Sequence, residues 1–278
     1  MNEIVCSAST FSDLYLVAFQ KMIVESTKSS PRGMNVFEVS PAVLILTNPR
    51  DRLLSFNEMR NIKRYCYGEA LWYLSGSNRL DFISKYSKFW NKISDDGIVC
   101  NSAYGKYIFA DKYYDGKDFI SQWEYVKRTL HKDTMSRQAL IHIKPIQILP
   151  TKDMVCTIIL QFMIRDGKLD LIVNMRSNDF VKGLTYDVFQ FTLLQELMAA
   201  ELGNIKLGRY VHIANNLHLY ESDVEMVTKM VASGINKNYK LLPKIPADFR
   251  NVDLPLLLAG MNPISKFAKE FKKYETNS

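Results

Sequence analysis

The chain has 278 residues, of which 47% are hydrophobic and 23% charged, so it is long enough to bury roughly three quarters of its unfolded surface without staples. That composition excludes a disordered chain, a coiled coil and a collagen-like repeat, and no apolar run reaches the roughly 18 residues of a membrane helix. The net charge of +7 is spread along the chain, with a mild cluster at Lys266, Lys269, Lys272 and Lys273, and favours small anions at least as much as nucleic acid.

Thr10 to Ser26 opens with a capping-box pair, Thr10 and Asp13, and places Phe11, Leu14, Tyr15, Ala18, Phe19 and Met22 on one helical face. The polar stretch that follows, with Lys28, Pro31, Arg32 and Gly33, is a loop. Val36 to Leu46 is extended and broken at Pro41. Phe56 to Leu74 has a helical repeat with a stop signal at Ser75-Gly76. Leu80 to Trp90 is helical, Asp95-Asp96-Gly97 a turn, Ala103 to Lys106 a loop and Gln122 to Leu130 a helix. Gln138 to Ile148 and Met154 to Ile164 read as strands. Asp166-Gly167 is a hairpin turn returning into Leu169 to Met175. Tyr186 to Leu202 is a long helix closed by Gly203, and Tyr210 to Tyr220 is a strand. With no repeat and no linker, the pattern predicts one α+β domain over residues 1–278, a sheet covered by helices.

Cys6, Cys66, Cys100 and Cys156 form no metal-ligand spacing, and the four histidines do not cluster, so no metal is expected. Scattered free thiols point to a reducing cytoplasm. The N-terminal MNEIVCSAST lacks the basic-then-apolar pattern of a signal peptide. Taken alone, Cys156 reads as a small buried hydrophobe.

Five motifs in order change that weighting. They are Glu69-Ala70-Leu71-Trp72-Tyr73-Leu74-Ser75-Gly76, the Tyr104-Gly105 loop, Cys156 with Gln161-Phe162, Arg176-Ser177-Asn178-Asp179 with Gly183 to Asp187, and His218-Leu219-Tyr220. Together they resemble the thymidylate synthase superfamily over roughly residues 30 to 225, as a run of motifs rather than any one alone. The resemblance implies a large mixed β-sheet covered by helices, packing back to back in a homodimer. It implies 5,10-methylenetetrahydrofolate as cosubstrate and a pyrimidine nucleotide as substrate, with no membrane and no specific nucleic acid as partner.

It also implies roles. Cys156 is the nucleophile that adds to C6 of the pyrimidine, because a thiolate both attacks and leaves readily, and a nearby arginine, Arg176, lowers a thiol pKa. Glu69 orders water and relays protons, and Tyr104 is an active-site phenol. Phosphate falls to Arg32, Arg137, Arg176 and Ser177, since arginine forks suit it, with Arg137 reaching from the other subunit. Asn178 lies beside them. His218 and Tyr220 reach the sugar. Trp90, Asp179 and Gly183 belong to the folate side. Core packing for the aromatics and a structural cap for Asp179 are the rival readings.

One departure bears on the substrate. Where the family has asparagine against uracil, this chain has Asp187. An amide answers the N3–H donor and O4 acceptor of uracil, whereas a carboxyl accepts from N4 of cytosine and, if protonated, donates to N3. Asp187 therefore argues for a cytosine nucleotide, a helix N-cap being the bland alternative. Aspartate here is similar to the deoxycytidylate and cytidylate 5-hydroxymethylases, in which water rather than hydride captures the exocyclic methylene. The leading expectation is a dCMP 5-hydroxymethyltransferase serving phage DNA modification in the cytoplasm of a host cell. CMP hydroxymethylation, a pyrimidine nucleotide methylase, dUMP hydroxymethylation and an idle nucleotide- or RNA-binding relative stand as alternatives.

Overall fold

A computed structural model describes residues 2–143, 151–203 and 205–275. The chain forms two compact units, each assembled from separate stretches of sequence. The first takes the chain up to Arg60, then Arg165–Glu196 and Lys206–Leu241; the second takes Asn61–Ile164, Leu197–Ile205 and the remainder from Leu242.

The first unit holds a mixed sheet in the order Ile4–Ala8, Ala42–Leu46, Lys206–Ala214, Lys168–Met175. The outer pairs are parallel and the central pair antiparallel. A second sheet runs Asn178–Asp179, Leu217–Tyr220, Val36–Val39, Thr27–Ser29. The stretch read as broken at Pro41 and the one read as a single strand from Tyr210 to Tyr220 are thus each divided between two sheets. Pro41 cannot donate to a ladder, and it separates Val36–Val39 from Ala42–Leu46. A bend at Asn215 and Asn216 separates Lys206–Ala214 from Leu217–Tyr220.

Helix Phe11–Glu25 starts as its sequence specifies. The Thr10 hydroxyl accepts from the Asp13 N–H at 3.1 Å, satisfying one of the orphan donors of the first turn. Its buried face is the one read from the periodicity, and Tyr15 lies 4.3 Å from Phe180, centroid to centroid. Helix Leu184–Glu201 is buried almost all round, its polar residues Thr185, Gln190, Thr192, Gln195 and Glu196 included. Its buried Gln195 donates to the carbonyls of Leu169 and Arg209. Beneath it Arg52, 1% exposed, pairs with Glu196. A bulge at Gly208-Arg209 interrupts the ladder. There the Asp170 carboxylate accepts from the Arg209 N–H at 2.7 Å, and a Cβ on Gly208 would lie 1.9 Å from it, so only glycine fits.

In the second unit, helix Lys63–Ser75 ends at Gly76 in the left-handed conformation, φ 68°, the usual C-terminal signal. It begins later than its periodicity suggests. There Phe56 bridges Ile235, the chain turns at 57–58, and the Asn57 amide donates to the Ser233 carbonyl. Leu80 to Trp90 is likewise not one helix but two short ones, Leu80–Ile83 and Phe89–Ile93. Tyr104 to Lys106, read as loop, begin a helical segment over 104–110, the last five residues as a π-turn. Leu140–His142 pairs antiparallel with Thr157–Arg165; the rest of the strand expected from Gln138 to Ile148 lies, beyond 143, outside the described residues.

Trp123 is fully buried between Phe109 and Phe162. Three helices toward the C-terminus, Val224–Ala232 in the first unit and Asp253–Leu258 and Lys266–Lys272 in the second, went unread. The last packs Phe267 and Phe271 on Phe249, and the Tyr274 ring stacks on Tyr67 at 5.1 Å. Its lysines are not a bare cationic patch, since Lys272 and Lys273 pair with Glu275 and Glu270. Among the described residues no helix is long and apolar enough to cross a membrane.

Candidate active site

The predicted site residues divide between the units. Arg32, Arg176, Ser177, Asn178, Asp179, Gly183, Asp187, His218 and Tyr220 belong to the first; Glu69, Trp90, Tyr104, Arg137 and Cys156 to the second.

In the first unit the end of strand Lys168–Met175, the short strand Asn178–Asp179 and strand Leu217–Tyr220 bring the polar groups together. Asn178 and Asp179 lie in parallel register with Leu217 and His218. The Ser177 hydroxyl is 3.4 Å from Nδ1 of His218, and that nitrogen is 3.1 Å from Oδ1 of Asn216. Asn216 in turn donates to Glu38 at 2.9 Å. Burial lowers the His218 pKa, against the pull of Asp179 and Glu38; Arg32 and Arg176 also face it and push the same way as burial. Both arginines are exposed. A neutral imidazole beside a hydroxyl and two arginines suits a sugar phosphate monoester. Tyr220 stands edge-on to His218 at 5.3 Å.

Asp179 spends Oδ1 on the backbone N–H groups of Val181 and Lys182, at 2.7 and 2.9 Å. The structural cap held as its rival reading is therefore real. Gly183 follows, where a Cβ would lie 2.7 Å from Nδ2 of Asn178 and 2.8 Å from the Asp179 carbonyl.

Asp187 lies in the first turn of helix Leu184–Glu201. Its carboxyl takes a 2.7 Å hydrogen bond from the side-chain amide of Asn178, so its partner is a neighbouring strand rather than the N–H groups of its own helix. The residue keeps part of its surface open. Burial of the carboxyl nevertheless raises its pKa to about 7, with Asp179 adding and the Asn178 bond opposing. A neutral carboxyl at working pH both accepts and donates.

In the second unit, Cys156 stands just before strand Thr157–Arg165, partly exposed, while Cys6, Cys66 and Cys100 are buried. Its thiol lies 3.8 Å from the Met154 carbonyl oxygen. The strand starts three residues later than the apolar run suggests, which leaves Cys156 at its threshold. Two ties hold this threshold. The Tyr104 hydroxyl accepts from the Thr157 N–H at 3.3 Å. Asp153, 3% exposed, accepts from the Ser102 N–H at 2.9 Å and from its hydroxyl.

Glu69 is 6% exposed on helix Lys63–Ser75. The Tyr65 hydroxyl donates to Glu69 Oε1 at 2.8 Å, and Nε1 of Trp90 donates to that hydroxyl at 3.0 Å. Trp90 also stands edge-on to Trp72 at 5.0 Å. Tyr65 escaped the sequence reading, although four residues before Glu69 puts both on one helix face. Arg137 is exposed, and its carbonyl accepts from Gln161. Among the described residues no cluster suited to a metal ion forms.

The family model for thymidylate synthase matches residues 43–254. The chain belongs to the thymidylate synthase family. Over 95% of its length it is 31% identical to the deoxyuridylate hydroxymethyltransferase of Bacillus phage SP01, covering 72% of that protein. A deoxyuridylate hydroxymethyltransferase of Pseudomonas phage M6 is 24% identical over 87% of this chain and 73% of its own length. The thymidylate synthase of Buchnera aphidicola subsp. Baizongia pistaciae (strain Bp) is 24% identical over 64% of this chain and 66% of its own. The fold matches that of the thermostable thymidylate synthase A from Bacillus subtilis, with a TM-score of 0.71 over 88% of this chain and 93% of that one, at 18% identity. The protein is thus a one-carbon transferase of the thymidylate synthase family with a mixed sheet covered by helices, and its cosubstrate is methylenetetrahydrofolate.

Proposed function

We propose that this enzyme hydroxymethylates C5 of deoxycytidine monophosphate: dCMP, 5,10-methylenetetrahydrofolate and water give 5-hydroxymethyl-dCMP and tetrahydrofolate. Asp187 carries the choice of base. A buried carboxyl with a pKa near 7 accepts from the cytosine amino group and donates to N3. The phage relatives named as hydroxymethyltransferases support water as the final acceptor.

In this reading Arg32, Arg176, Ser177 and, from the second subunit of a homodimer, Arg137 hold the phosphate; Asn178 lies at the base through Asp187. His218 and Tyr220 take the sugar. The Cys156 thiolate adds to C6, which makes C5 nucleophilic. The folate supplies the methylene that C5 takes up. Asp179 keeps a second carboxylate oxygen for a pterin amino group. Trp90, its N–H committed to Tyr65, offers the folate a ring face, and Gly183 is a further group for the folate. Glu69, with Tyr104 nearby in the sequence of roles, orders the water and moves protons from C5 and to the departing amine. Expulsion of Cys156 then restores the ring. The whole chain, 1–278, acts as a single thymidylate synthase-like domain in the cytoplasm of the cell that makes it.

The second reading keeps the chemistry and exchanges the base. A neutral carboxyl also answers N3–H and O4 of uracil when its proton sits on the other oxygen, and both phage relatives are deoxyuridylate enzymes by name. The test is incubation with methylenetetrahydrofolate and dCMP, CMP, dUMP or UMP, read by mass spectrometry. A gain of CH2O on dCMP is the expected result. The same gain on dUMP alone selects the second reading, and a gain of CH2 removes water capture.

A further inference from the structure

We propose that Asn178 determines which pyrimidine the enzyme reads: by donating to Oδ2 of Asp187 it keeps the carboxyl proton on Oδ1. This deepens the proposed function and rests on Asp187 as the group that meets the base.

The two bases present mirror-image edges. Cytosine has a donor at position 4 beside an acceptor at N3; uracil has an acceptor at position 4 beside a donor at N3. A neutral carboxyl, with one C=O and one O–H, pairs with either edge, depending on which oxygen holds the proton. Burial alone would keep Asp187 neutral and leave that choice open. An N–H aimed at Oδ2 biases it, because a hydroxyl oxygen is a weaker acceptor for that N–H than a carbonyl oxygen. With Oδ2 toward position 4 of the base, as the cytosine reading requires, Oδ2 accepts from both Asn178 and the cytosine amino group, while Oδ1–H meets N3.

Three observations carry the role of Asn178. The side chain is 2% exposed, and its backbone is pinned by a 2.8 Å bond from its N–H to the Asn216 carbonyl. Its amide nitrogen is 2.7 Å from Oδ2 of Asp187. Its own Oδ1 is buried without a partner among the described residues. A buried acceptor left unmatched costs about 1–3 kcal/mol. The bare backbone at Gly183 gives the amide its room, since a Cβ there would sit 2.7 Å from the amide nitrogen.

The titratable groups around the carboxyl come from two other elements. Asp179 lies on the short strand and raises its pKa. Tyr210, fully buried on strand Lys206–Ala214, also feels Asp187 and is bonded to Nδ1 of the buried His212 at 2.7 Å. Burial holds His212 neutral, with its pKa lowered to about 3, so it places no positive charge behind the carboxyl.

The experiment measures dissociation constants of dCMP and dUMP, from pH 5.5 to 9, for wild type, Asn178→Leu and Gly183→Ala, each first checked for a cooperative melt. Wild type should favour dCMP. Asn178→Leu should bring the two affinities toward parity, a change of about tenfold or more in their ratio, because the proton is then free to sit on either oxygen. Removing a donor to the carboxylate raises the Asp187 pKa further, so the pH at which dCMP affinity falls should move upward. Gly183→Ala, which displaces the amide, should shift the ratio in the same direction and serves if the leucine variant does not fold. A ratio and a pH midpoint unmoved by these changes overturn the role of Asn178, whichever base wild type prefers. A wild type that prefers dUMP overturns the cytosine reading instead.

Discussion

In the proposed reading the first unit gathers most of the groups that recognise the nucleotide, and the second gathers the groups that react. Ser177, Asn178, Asp187 and His218 sit where strands end or a helix begins, tied to one another by side-chain hydrogen bonds. Glu69, Tyr104 and Cys156 sit on a long helix, a helical turn and a strand threshold; the Tyr65 hydroxyl holds Glu69, and aromatic packing and a backbone N–H hold Tyr104. The difference suits the two tasks. A reader must match a fixed pattern of donors and acceptors, so its groups constrain one another. A nucleophile must attack and leave, so its backbone is held while the thiol stays accessible.

This division can be broken from either side. The largest effect belongs to Cys156→Ala. Turnover should vanish while dCMP binding, measured by calorimetry, stays within a few-fold of wild type. If binding is lost as well, the thiol is part of recognition and the division fails. Glu69→Gln should lower kcat by about 10²–10⁴-fold, the span of a lost acid–base group, and leave nucleotide affinity nearly unchanged.

Asp187→Asn should act in the opposite sense. It should move the kcat/KM ratio from dCMP toward dUMP by about 10- to 100-fold, equivalent to about 1–3 kcal/mol of buried mispairing, with turnover on the preferred base largely kept. The same carboxyl gives a pH signature. Its folded pKa is raised, from 3.8 to about 7, so the folded state binds a proton that the unfolded state releases. Its contribution to stability is present below the unfolded pKa and is lost as pH rises through about 7. The melting temperature of Asp187→Asn should therefore exceed that of wild type at pH 8 and converge with it near pH 4. A difference independent of pH would show that the carboxyl does not titrate there.

The smallest effect concerns the Trp90–Tyr65–Glu69 chain. Tyr65→Phe removes a bond that contributes about 0.5–1.5 kcal/mol, so a few-fold loss in kcat and in folate KM is expected. A change in the dCMP-to-dUMP ratio would show that this chain reaches the recognition groups.

Much of this arrangement was legible in the residues, for reasons that differ by region. Helix Phe11–Glu25 and the stop at Gly76 rest on local capping and backbone freedom, which a sequence displays directly. Phe56 to Ile62 misled because its apolar spacing is bound to the distant Gly234-Ile235 segment rather than to its own next turn. The break at Pro41 was legible because proline lacks the ladder donor, whereas Tyr210 to Tyr220 read as continuous across Asn215 because a change of sheet leaves no trace in β-propensity. At the site, the ordered motifs pointed to each residue but not to its ties. Tyr65 was available from helical spacing alone. The Asn178–Asp187 bond was not, since nine positions separate a strand residue from a helix residue and only the turn at Gly183 brings them together.

The most direct test of the account is the intact mass of the protein after incubation with methylenetetrahydrofolate and 5-fluoro-dCMP or 5-fluoro-dUMP. Fluorine at C5 cannot leave as a proton does, so the bond from Cys156 to C6 persists. The account predicts a covalent complex with 5-fluoro-dCMP that carries nucleotide and folate, maps to Cys156 and is absent from Cys156→Ala. A complex formed with 5-fluoro-dUMP alone, or one that survives the loss of Cys156, would contradict it.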